Sequence, residues 1–544
     1  MKARRMLTGG ALGALVTAPL ISLLYLANQL VGVTFPPYAV FNSISRLLPG
    51  PVITFGIDAM IDTLRILGFN VAETAKTAEQ LLAVSLFWGG GLAFGVILAF
   101  LPEYIWKKLP LLLGLLAGLM LGTPAFLLSL KAGVSSGGLG FNLSIFTVLF
   151  VSWGLLLTHS INRLQIDSEE EGVPVEKTED PSVTTLNRRQ FLITLGAGSA
   201  TITIAGAGLG SLLTREKGLA QKPLPPSSVR LGPEGKPFPN ANDPIKPVPG
   251  NRPEYTPVED HYQVFIQTTP TKINQEDWSL PVTGLVETEL ELTLQDIQER
   301  YQPRDQYVTL NCISGRIPTS LISTTYWTGV SVQDVLEDAG VKPEANYLFI
   351  ESADGYYEIV SLDLIYSDPR IMFCYAWDGH PLPKDHGFPL RIWIPNRFGM
   401  KQPKWITKLE LRDTYQAGYW VERGWDKEAL VKMRSVVDTV AVKEIIEKEG
   451  QRLIPIGGIA FAGARGISRV EIKVDDQDWV QADLRSPLSE TTWVIWRFEW
   501  PFAEGEHTFA VRCYDGTGTL QILEESSARP DGSTGLHSVT RKIN

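Results

Sequence analysis

Long apolar runs in the first 213 residues constrain the fold of this chain more than any other feature of the sequence. A helix needs about 20 mostly apolar residues to cross about 30 Å of hydrocarbon. Five stretches reach that length, and they lie at residues 9–33, 80–101, 109–130, 141–161 and 191–213. Residues 214–544 have the composition of soluble protein. The sequence therefore predicts an N-terminal α-helical transmembrane region over residues 1–213, followed by soluble domains.

A weaker apolar stretch at residues 47–69 differs from these five. It carries Asp58, Asp62 and Arg65 at near-helical spacing, which is typical of an amphipathic helix in the membrane interface. A sixth span here would place the later basic clusters on the wrong side under the positive-inside rule. We therefore interpret this stretch as an interfacial helix that contacts membrane lipid.

Basic residues indicate the direction of the spans. Three clusters flank them: Lys2, Arg4 and Arg5 before the first, Lys107 and Lys108 between the second and third, and Arg163, Lys177, Arg188 and Arg189 between the fourth and fifth. Five spans that start inside put all three clusters in the cytoplasm. The sequence thus predicts a multi-pass protein of the cell membrane, with the chain after residue 213 on the extracytoplasmic side.

The segment NRRQFLITLGAG (187–198), which opens the last apolar run, resembles a twin-arginine export signal. Paired arginines at 188 and 189 precede a Phe-Leu pair, whereas Asn187 and Ile193 replace the usual Ser or Thr and the usual Lys. The alternative is that two arginines simply mark a cytoplasmic flank. Because no small-residue cleavage site follows the run, we expect it to stay as an anchor.

Composition excludes several classes of function. The net charge is −10 and the isoelectric point is about 5.3, so a nucleic-acid partner is not expected. Three cysteines cannot form a disulfide framework. The predicted spans contain one histidine, His159 at a helix end, and the chain has no Cys-x-x-Cys-His motif, so no haem is predicted. We interpret the membrane half as an anchor, with quinone binding or partner docking as the alternative.

The soluble half divides into three parts. Residues 214–257 are predicted to be a linker, because 222–257 are rich in Pro, Gly, Asn and Ser and should form an extended strap with little core of its own. Strands outnumber helices in residues 258–432, which predicts a mixed α+β domain. Short strands with polar turns in residues 433–544 predict an antiparallel sandwich of about a hundred residues.

Cys312 lies in the stretch VTLNCISGR (308–316), near the end of a predicted strand over residues 306–314. This stretch alone leaves three interpretations open: a buried core residue, half of a disulfide, or a metal ligand. A small core residue is the ordinary role of a lone strand cysteine. We assign that role to Cys374 and Cys513.

Motifs after Cys312 carry a resemblance to the sulfite oxidase family of molybdenum enzymes. The most specific runs are DHGFPLR (385–391) and GMKQPKW (399–405), and YWTGVSVQDVLEDAGV, ESADGYYEIVSLD and YWVERGWD occur in the order seen in that family. The later GIAFAGARGISRVEIKVDDQDWVQADL and ARPDGSTGLHSV look like its immunoglobulin-like dimerisation domain. The resemblance covers roughly residues 255–544. It implies a molybdopterin-binding oxidoreductase domain followed by an immunoglobulin-like β-sandwich, and suggests a homodimer.

By this resemblance Cys312 ligates molybdenum directly, beside the two dithiolene sulfurs of one pyranopterin. A thiolate is a soft ligand suited to such a centre. The phosphate and the hydrogen-bonding edges of the pterin require cationic and polar groups on a fixed backbone. The resemblance carries that cofactor-binding role to Gln267, Ser352, Asp354, His386, Arg391, Gln402, Pro403 and Lys404.

The pocket residues depart from the family pattern. Gln267 stands where members carry an asparagine, and Trp425 aligns with their pocket tyrosine. True sulfite oxidases have two arginines shortly after the cysteine, whereas this chain has only Arg316 there. The segment between Cys312 and WTGV is also shorter. Because an oxyanion requires several converging cations, the resemblance defines the cofactor more closely than the substrate.

The sequence as a whole predicts a membrane-anchored molybdenum-cofactor oxidoreductase that catalyses two-electron oxygen-atom transfer. Cys312 is the predicted catalytic ligand, and Arg316 is predicted to hold an anionic substrate. Oxidation of sulfite to sulfate is the first expectation, and reduction of an S- or N-oxide such as methionine sulfoxide is the alternative. A non-catalytic membrane-anchored binding protein is the remote alternative. Electrons would pass to a separate carrier, a c-type cytochrome or a quinone-linked membrane subunit.

Overall fold

The computed structural model describes residues 2–69, 71–102, 109–131, 138–170, 188–218 and 235–544. The chain groups into two compact units. One consists of Met1–Pro49 and Ala75–Pro226, and the other joins Gly50–Thr74 to Ser227–Asn544. Four features used above lie outside the described residues: the basic residues 107–108, Lys177, Asn187 of the twin-arginine-like segment, and residues 219–234 of the predicted linker. Residues 214–218, which the sequence analysis assigned to the linker, belong to the helix Arg188–Gly218.

The first unit is helical. Its helices are α1 (Lys2–Val31), α2 (Pro36–Leu47), α4 (Val71–Ala99), α5 (Pro110–Lys131), α6 (Gly138–Glu170) and α7 (Arg188–Gly218). Within the described residues, all of these except α2 are long and apolar enough to cross a membrane. The prediction of five apolar helices is therefore confirmed. The segment 47–69 contains α3 (Gly50–Ile66), which is not among the candidate spans.

Packing in the first unit is typical of helices that meet in lipid. Leu12, Phe150 and Trp153 are buried between helices, while large apolar side chains such as Leu111 and Ile204 are exposed. Close approach is built on small residues, because a Cβ on Gly118 of α5 would lie only 2.8 Å from the Cα of Val151 in α6. Exposed apolar surface of this extent is suited to lipid.

Two sheets and three short helices form the region after the linker. The first sheet has the strand order β2-β1-β10-β5-β6, and the second has the order β3-β4-β7-β8 with β9 beside β7. The strands are β1 (Leu280–Gly284), β2 (Leu290–Leu292), β3 (Pro303–Asn311), β4 (Ile322–Ser331), β5 (Tyr347–Ser352), β6 (Tyr357–Ser361), β7 (Met372–Trp377), β8 (His380–Pro381), β9 (Arg391–Trp393) and β10 (Ile406–Arg412). The helices are α8 (Leu294–Arg300), α9 (Val332–Ala339) and α10 (Leu362–Ser367).

Local sequence explains the ends of these helices. Thr293 and Asp296 form a capping box at the start of α8, which satisfies two backbone donors. Gly340 ends α9 in the left-handed conformation, at φ 66°, where glycine is favoured. Apolar residues of the first sheet, of α9 and of the second sheet then share one core. The predicted mixed α+β architecture is present.

The chain from Arg434 onward is rich in strands. Two antiparallel sheets form, one with the order β11-β13-β17-β16 and β12 beside β13, the other with the order β15-β14-β18-β19. The strands are β11 (Arg434–Val440), β12 (Ile446–Lys448), β13 (Gln451–Phe461), β14 (Ile467–Val474), β15 (Val480–Gln481), β16 (Asp483–Leu484), β17 (Val494–Pro501), β18 (Gly505–Asp515) and β19 (His537–Ile543). Residues of both sheets bury one shared core. The immunoglobulin-like classification stays a prediction.

Residues 235–257 form a strap that is held by ion pairs and by a few buried apolar side chains, among them Val248 and Tyr255. The guanidinium of buried Arg485 donates hydrogen bonds to two groups of the strap. They are the carboxylate of Glu254, at 3.0 Å, and the backbone oxygen of Asn240, at 2.9 Å. Arg252 pairs with Asp438 at 2.7 Å. The strap therefore fits the predicted extended segment and joins the α+β and the β-rich regions.

A hydrophobic cluster lies between the α+β region and the β-rich region. Ile313, immediately after Cys312, is buried there with Phe398 and Val431, against Val436 and Ile459 of the β-rich region. The turn that carries Cys312 is therefore supported from both sides. The predicted boundary at residue 432/433 stays a prediction, since the two regions belong to one compact unit.

Candidate functional site

Cys312 directly follows β3 and is buried, with 7% of its surface exposed. Its N–H donates to the Leu321 oxygen at 3.0 Å, and its Sγ lies 3.1 Å from the Ser314 hydroxyl. All three cysteines are free thiols, which excludes the disulfide interpretation. Burial raises the pKa of the Cys312 thiol, while hydrogen bonds with Ser314 and the charge of Arg434 act in the opposite direction. A bound metal would favour the thiolate.

Arg434, the first residue of β11, is fully buried near this turn. One guanidinium N–H group donates to the Gly315 oxygen at 3.5 Å, and the guanidinium lies 5.8 Å from the Phe398 ring. Its Nε and Nη2 atoms have no hydrogen-bond partner in the described part of the chain. Burial lowers the pKa of Arg434 to about 10. A buried charge left in this condition requires an anionic or strongly polar partner.

Three predicted cofactor residues converge around Gly387. This glycine has φ 113°, and a Cβ on it would lie 3.0 Å from the Cβ of Lys404 and 3.2 Å from that of Arg391. Arg391 donates to the His386 oxygen at 2.9 Å, and the Lys404 ammonium donates to the Asp385 oxygen at 3.1 Å. The two runs DHGFPLR and GMKQPKW thus meet and form a single cationic surface.

Arg391 is the most deeply placed of these cations, with 3% of its surface exposed. Its guanidinium lies over the rings of Trp327 and Trp377, at 4.6 Å and 5.4 Å. Both tryptophans belong to the hydrophobic cluster that contains Cys312. Burial lowers the pKa of Arg391 to about 10. A planar guanidinium held by two rings is suited to bidentate hydrogen bonds with a phosphate or another oxyanion.

Two buried histidines lie beside these cations. The ring of His386 is 5.1 Å from the ring of His261, which the sequence analysis did not select. Burial lowers the pKa of His261 to about 3 and that of His386 well below its usual value, and the charges of Lys404 and Arg391 act in the same direction. Both rings are therefore neutral at pH 7. The Nδ1 of His261 lies 3.1 Å from the Tyr262 oxygen, which can only accept, so its Nε2 is left as an acceptor for a ligand.

The remaining predicted residues lie on neighbouring backbone. Ala353, between Ser352 and Asp354, donates its N–H to the Trp405 oxygen at 2.9 Å, which places the ESADG turn next to Lys404. The Gln267 amide donates to the Asp354 oxygen at 3.0 Å. Gln267 thus supports that turn.

Gln402 and Pro403 are anchored to the second sheet. The Gln402 amide donates to the oxygens of Ile394, at 3.3 Å, and Arg397, at 3.0 Å. The Pro403 oxygen accepts a hydrogen bond from the N–H of Ile392 at 3.1 Å. These bonds fix the backbone that carries Lys404.

Unpartnered buried polar atoms test whether this region fits a molybdenum cofactor. Within the ranges that the structure describes, such atoms include His261 Nε2, Asn311 Oδ1, Ser352 Oγ, Arg391 Nε, Gln402 Oε1, and Nε and Nη2 of Arg434. Folded proteins rarely leave such groups unpaired, because each costs free energy. Donors, acceptors and cations gathered near one buried thiol fit a phosphorylated pterin and its metal.

Two further arginines, Arg316 and Arg529, pair with carboxylates of α3. Arg316 is about half exposed and pairs with Asp62 of α3 at 3.1 Å. Arg529 pairs with Asp58 of α3 at 3.1 Å, and its guanidinium lies 4.8 Å from the Trp425 ring.

The loop that carries Arg529 is fixed to the Cys312 turn. The hydroxyl of Ser533 donates to the Gly315 oxygen at 2.8 Å, and the Pro530 oxygen accepts a hydrogen bond from the Asp426 N–H at 3.0 Å. Arg434 bonds to the same Gly315 oxygen. Three arginines thus surround a turn for which the sequence analysis had found only Arg316.

Comparisons with known proteins identify the domain that contains Cys312 and the residues around Gly387. A family model described as "Oxidoreductase molybdopterin binding domain" matches residues 266–420. The uncharacterized oxidoreductase YuiH of Bacillus subtilis (strain 168) is 30% identical over 150 residues, which are 27% of this chain and 72% of that protein. A nitrate reductase [NADPH] of Fusarium oxysporum is 28% identical over 260 residues, which are 39% of this chain and 28% of that protein. A nitrate reductase [NAD(P)H] of Hordeum vulgare is 27% identical over 320 residues, 48% of this chain and 36% of that protein.

The chain thus spans only 28% and 36% of the length of these two nitrate reductases. Among solved structures, the sulfane dehydrogenase SoxCD from Paracoccus pantotrophus aligns with a TM-score of 0.47 and 19% sequence identity, over 55% of this chain and 88% of that one. The matched domain and the bacterial relative, together with the site described above, lead to one conclusion. The chain belongs to the sulfite oxidase family of molybdopterin-dependent oxidoreductases.

Proposed function

We propose that this oxidoreductase transfers an oxygen atom in a two-electron reaction at a molybdenum cofactor held between Cys312 and the cationic surface around Gly387. The observation that carries the proposal is the set of unpartnered buried polar atoms beside a free, buried thiol. When bound, the cofactor supplies the redox chemistry, with molybdenum alternating between its +6 and +4 states.

Individual residues have distinct parts in holding the cofactor. Cys312 would ligate the metal as a thiolate. Arg391 and Lys404 would bind the phosphate, since both are cations on fixed backbone. The neutral rings of His386 and His261 would pair with the pterin edges. Ser352, Asp354, Gln267, Gln402 and Pro403 would complete the binding surface through side chains or backbone.

An oxyanion is the substrate that the arginines favour. Arg316, Arg434 and Arg529 surround the Cys312 turn, and several converging cations attract a small anion. Two relatives are named as nitrate reductases, which is compatible with an oxyanion substrate. We propose oxidation of sulfite to sulfate, in which sulfite and water yield sulfate, two protons and two electrons.

A neutral S- or N-oxide, such as methionine sulfoxide, is the second candidate substrate. The observation that favours it is the pairing of Arg316 and Arg529 with Asp62 and Asp58. These carboxylates neutralise two of the three cations, which suits a neutral ligand better than a dianion. In this direction the oxide would receive two electrons and two protons and release water.

Electrons require a separate carrier under either reaction. We propose a c-type cytochrome or a quinone-linked membrane subunit as that partner. A homodimer through an immunoglobulin-like β-rich region, and export through the twin-arginine-like segment, belong to the same proposal.

Chain geometry supports an extracytoplasmic location for the soluble half. The helix α3 and residues 235–544 belong to one compact unit, and four candidate spans separate them in the sequence. An even number of spans returns the chain to the side from which it started. With the N-terminal basic cluster in the cytoplasm, both segments then lie outside.

Steady-state assays of the purified full chain distinguish the two substrates. Sulfite with an artificial electron acceptor is compared with methionine sulfoxide and a reduced dye. If sulfite is the substrate, Arg434→Gln should raise its KM by about tenfold or more, since a charge-assisted hydrogen bond contributes roughly 1.5–3 kcal/mol. Arg300→Gln is the matched control, because it removes an exposed ion pair of α8. Turnover of neither substrate, or turnover that survives Cys312→Ser, would overturn the proposal.

A further inference from the structure

The helix α3 carries two carboxylates toward the arginines of the candidate site. Asp58 and Asp62 are four residues apart, so they lie one turn apart on the same face of the helix. Asp62 pairs with Arg316 and Asp58 pairs with Arg529, each at 3.1 Å. Two guanidinium groups from different parts of the chain therefore meet two carboxylates on one helix face.

The start of α3 is placed against the same region. A Cβ on Gly50 would lie 3.3 Å from the Cα of Arg423, and Arg423 is two residues before Trp425 in the YWVERGWD motif. Trp425 in turn lies under the guanidinium of Arg529. The helix thus contacts residues near the Cys312 turn at three places along its length.

Both ion pairs are weak enough to be broken by an anion in solution. About half of the surface of Asp58, Asp62 and Arg316 is exposed, and exposed ion pairs are weak and screened by salt. A carboxylate presents the same kind of oxygen acceptors to a guanidinium fork as a small oxyanion. An anion in solution can therefore compete with Asp58 and Asp62 for the two arginines.

The helix α3 also carries exposed apolar side chains, among them Val52, Phe55 and Ile66. In the sequence, α3 lies between the candidate spans α1 and α4. A helix tied at both ends can release two weak ion pairs and form them again.

We propose that α3 is a lid whose carboxylates compete with an anionic substrate for Arg316 and Arg529, which makes Asp58 and Asp62 specificity-determining residues of the site. This inference rests on the proposed role of these arginines in substrate binding. An anion must displace both carboxylates before it can bind, whereas a neutral substrate does not compete with them. The lid therefore lowers the affinity for small anions without any contact to the cofactor.

Binding of inorganic sulfate to the purified full chain in detergent tests the lid directly. Isothermal titration calorimetry at low ionic strength compares the wild type with Asp58→Asn/Asp62→Asn. We expect sulfate to bind about tenfold more tightly to the variant, because two weak competing ion pairs are lost. Asp338→Asn is the matched control, since it removes a similarly exposed pair with Arg300 and should leave sulfate affinity unchanged.

Additional variants distinguish an effect on the lid from a folding defect of the double variant. The single changes Asp58→Asn and Asp62→Asn should each give about threefold tighter binding, and Asp62→Glu, which keeps the charge, should stay near the wild type. Arg316→Gln/Arg529→Gln in the double-Asn background should remove the gain. Unchanged or weaker sulfate binding in every Asn variant would overturn the lid.

Turnover separates failure of the lid from failure of the proposed function. In the cofactor-loaded enzyme, the double-Asn change should lower KM for sulfite and leave kcat unchanged, since it removes a competitor of the free enzyme. Normal sulfite turnover together with unchanged KM would contradict the lid alone. Tighter sulfate binding in a protein that turns over no oxyanion would support the lid and contradict the proposed reaction.

Discussion

Arg391 and Arg434 are both buried, and both keep N–H groups that have no acceptor in the described part of the chain. Taking a charge out of water costs several kcal/mol unless a partner compensates it. In the described part of the chain, the two guanidinium groups contact backbone oxygens and aromatic rings. The two residues are therefore explained better by a bound anionic ligand than by the stability of the ligand-free protein.

Replacing Arg391 by lysine tests whether Arg391 binds the pterin cofactor. Lysine keeps the charge and loses the planar fork that lies over Trp327 and Trp377. We expect the amount of cofactor retained after purification to fall about tenfold, in line with the loss of charge-assisted hydrogen bonds. Fluorescence of the pterin released by denaturation gives the measurement.

Arg304→Lys serves as the control for that change. Arg304 lies on β3, and its side chain forms a partly exposed ion pair with Asp334. It should retain the wild-type amount of pterin. Equal retention in Arg391→Lys would contradict the assignment of Arg391 to the phosphate or the pterin.

The histidines His261 and His386 predict how stability depends on pH. Burial holds their pKa values far below the usual 6.5, to about 3 for His261. Between these values the unfolded chain binds more protons than the folded one. Above about pH 6.5 the two histidines therefore do not lower the free energy of unfolding. Below that pH the free energy of unfolding decreases as the pH falls, by up to about 1.4 kcal/mol per histidine and pH unit.

We expect the Tm of the purified cofactor-free chain to fall by several degrees between about pH 7 and about pH 5.5. His261→Gln should remove about half of that dependence, whereas His380→Gln, at an exposed position of β8, should retain it. Thermal unfolding followed by tryptophan fluorescence gives the midpoints. A wild-type Tm that is flat over this range would contradict the buried neutral histidines.

Sequence reasoning found the residues that lie in continuous motifs and missed those that tertiary structure brings in. His386, Arg391 and Lys404 stand in two runs that could be recognised, and the structure brings them together around one glycine. Arg434 and Arg529 come from the β-rich region, more than a hundred residues after Cys312. The sequence does not show that they return to the Cys312 turn.

At the scale of elements, the strands that were missed are the central ones. The sequence analysis located β3, but it did not locate β4 or β7. Almost every residue of these two strands is buried or half-buried, so neither shows the alternation of polar and apolar residues that marks a strand with one wet face. Cys312 and Arg391 lie at the ends of strands that pair with β4 and β7. The elements hardest to predict therefore position the site.

The turn at Gly387 connects the two cationic runs. Gly387→Ala would place a Cβ close to both Lys404 and Arg391 at φ 113°, a backbone conformation that costs a residue other than glycine about 1–3 kcal/mol. We expect this variant to lose most of its bound cofactor. Pterin content and Tm are measured together.

Gly466→Ala is the matched control for the turn. Gly466 also has a positive φ, 69°, but no described atom lies within 4 Å of the position of its Cβ. It should lose some stability and keep its cofactor. Equal cofactor content in both variants would contradict the role of the Gly387 turn in arranging the cations.

At the scale of the whole molecule, the five candidate spans and α3 predict one topology. Reporter fusions after residue 33 and after residue 218 should be active outside the cytoplasm, and fusions after residue 102 should be inactive there. The reason is that α3 and the soluble half are separated by four spans and share one compact unit. Opposite locations for the fusions after 33 and 218 would contradict both the span count and the ion pairs of α3.

X-ray absorption at the molybdenum edge tests the central claim most directly. For the wild-type chain, purified from a host that makes the cofactor, we predict a molybdenum signal with about three sulfur ligands, two from the dithiolene and one from Cys312. Cys312→Ser should lose one of these sulfurs, and Cys513→Ser, a change in the core of the β-rich region, should keep all of them. A protein without molybdenum, or an unchanged sulfur count in Cys312→Ser, would contradict the account.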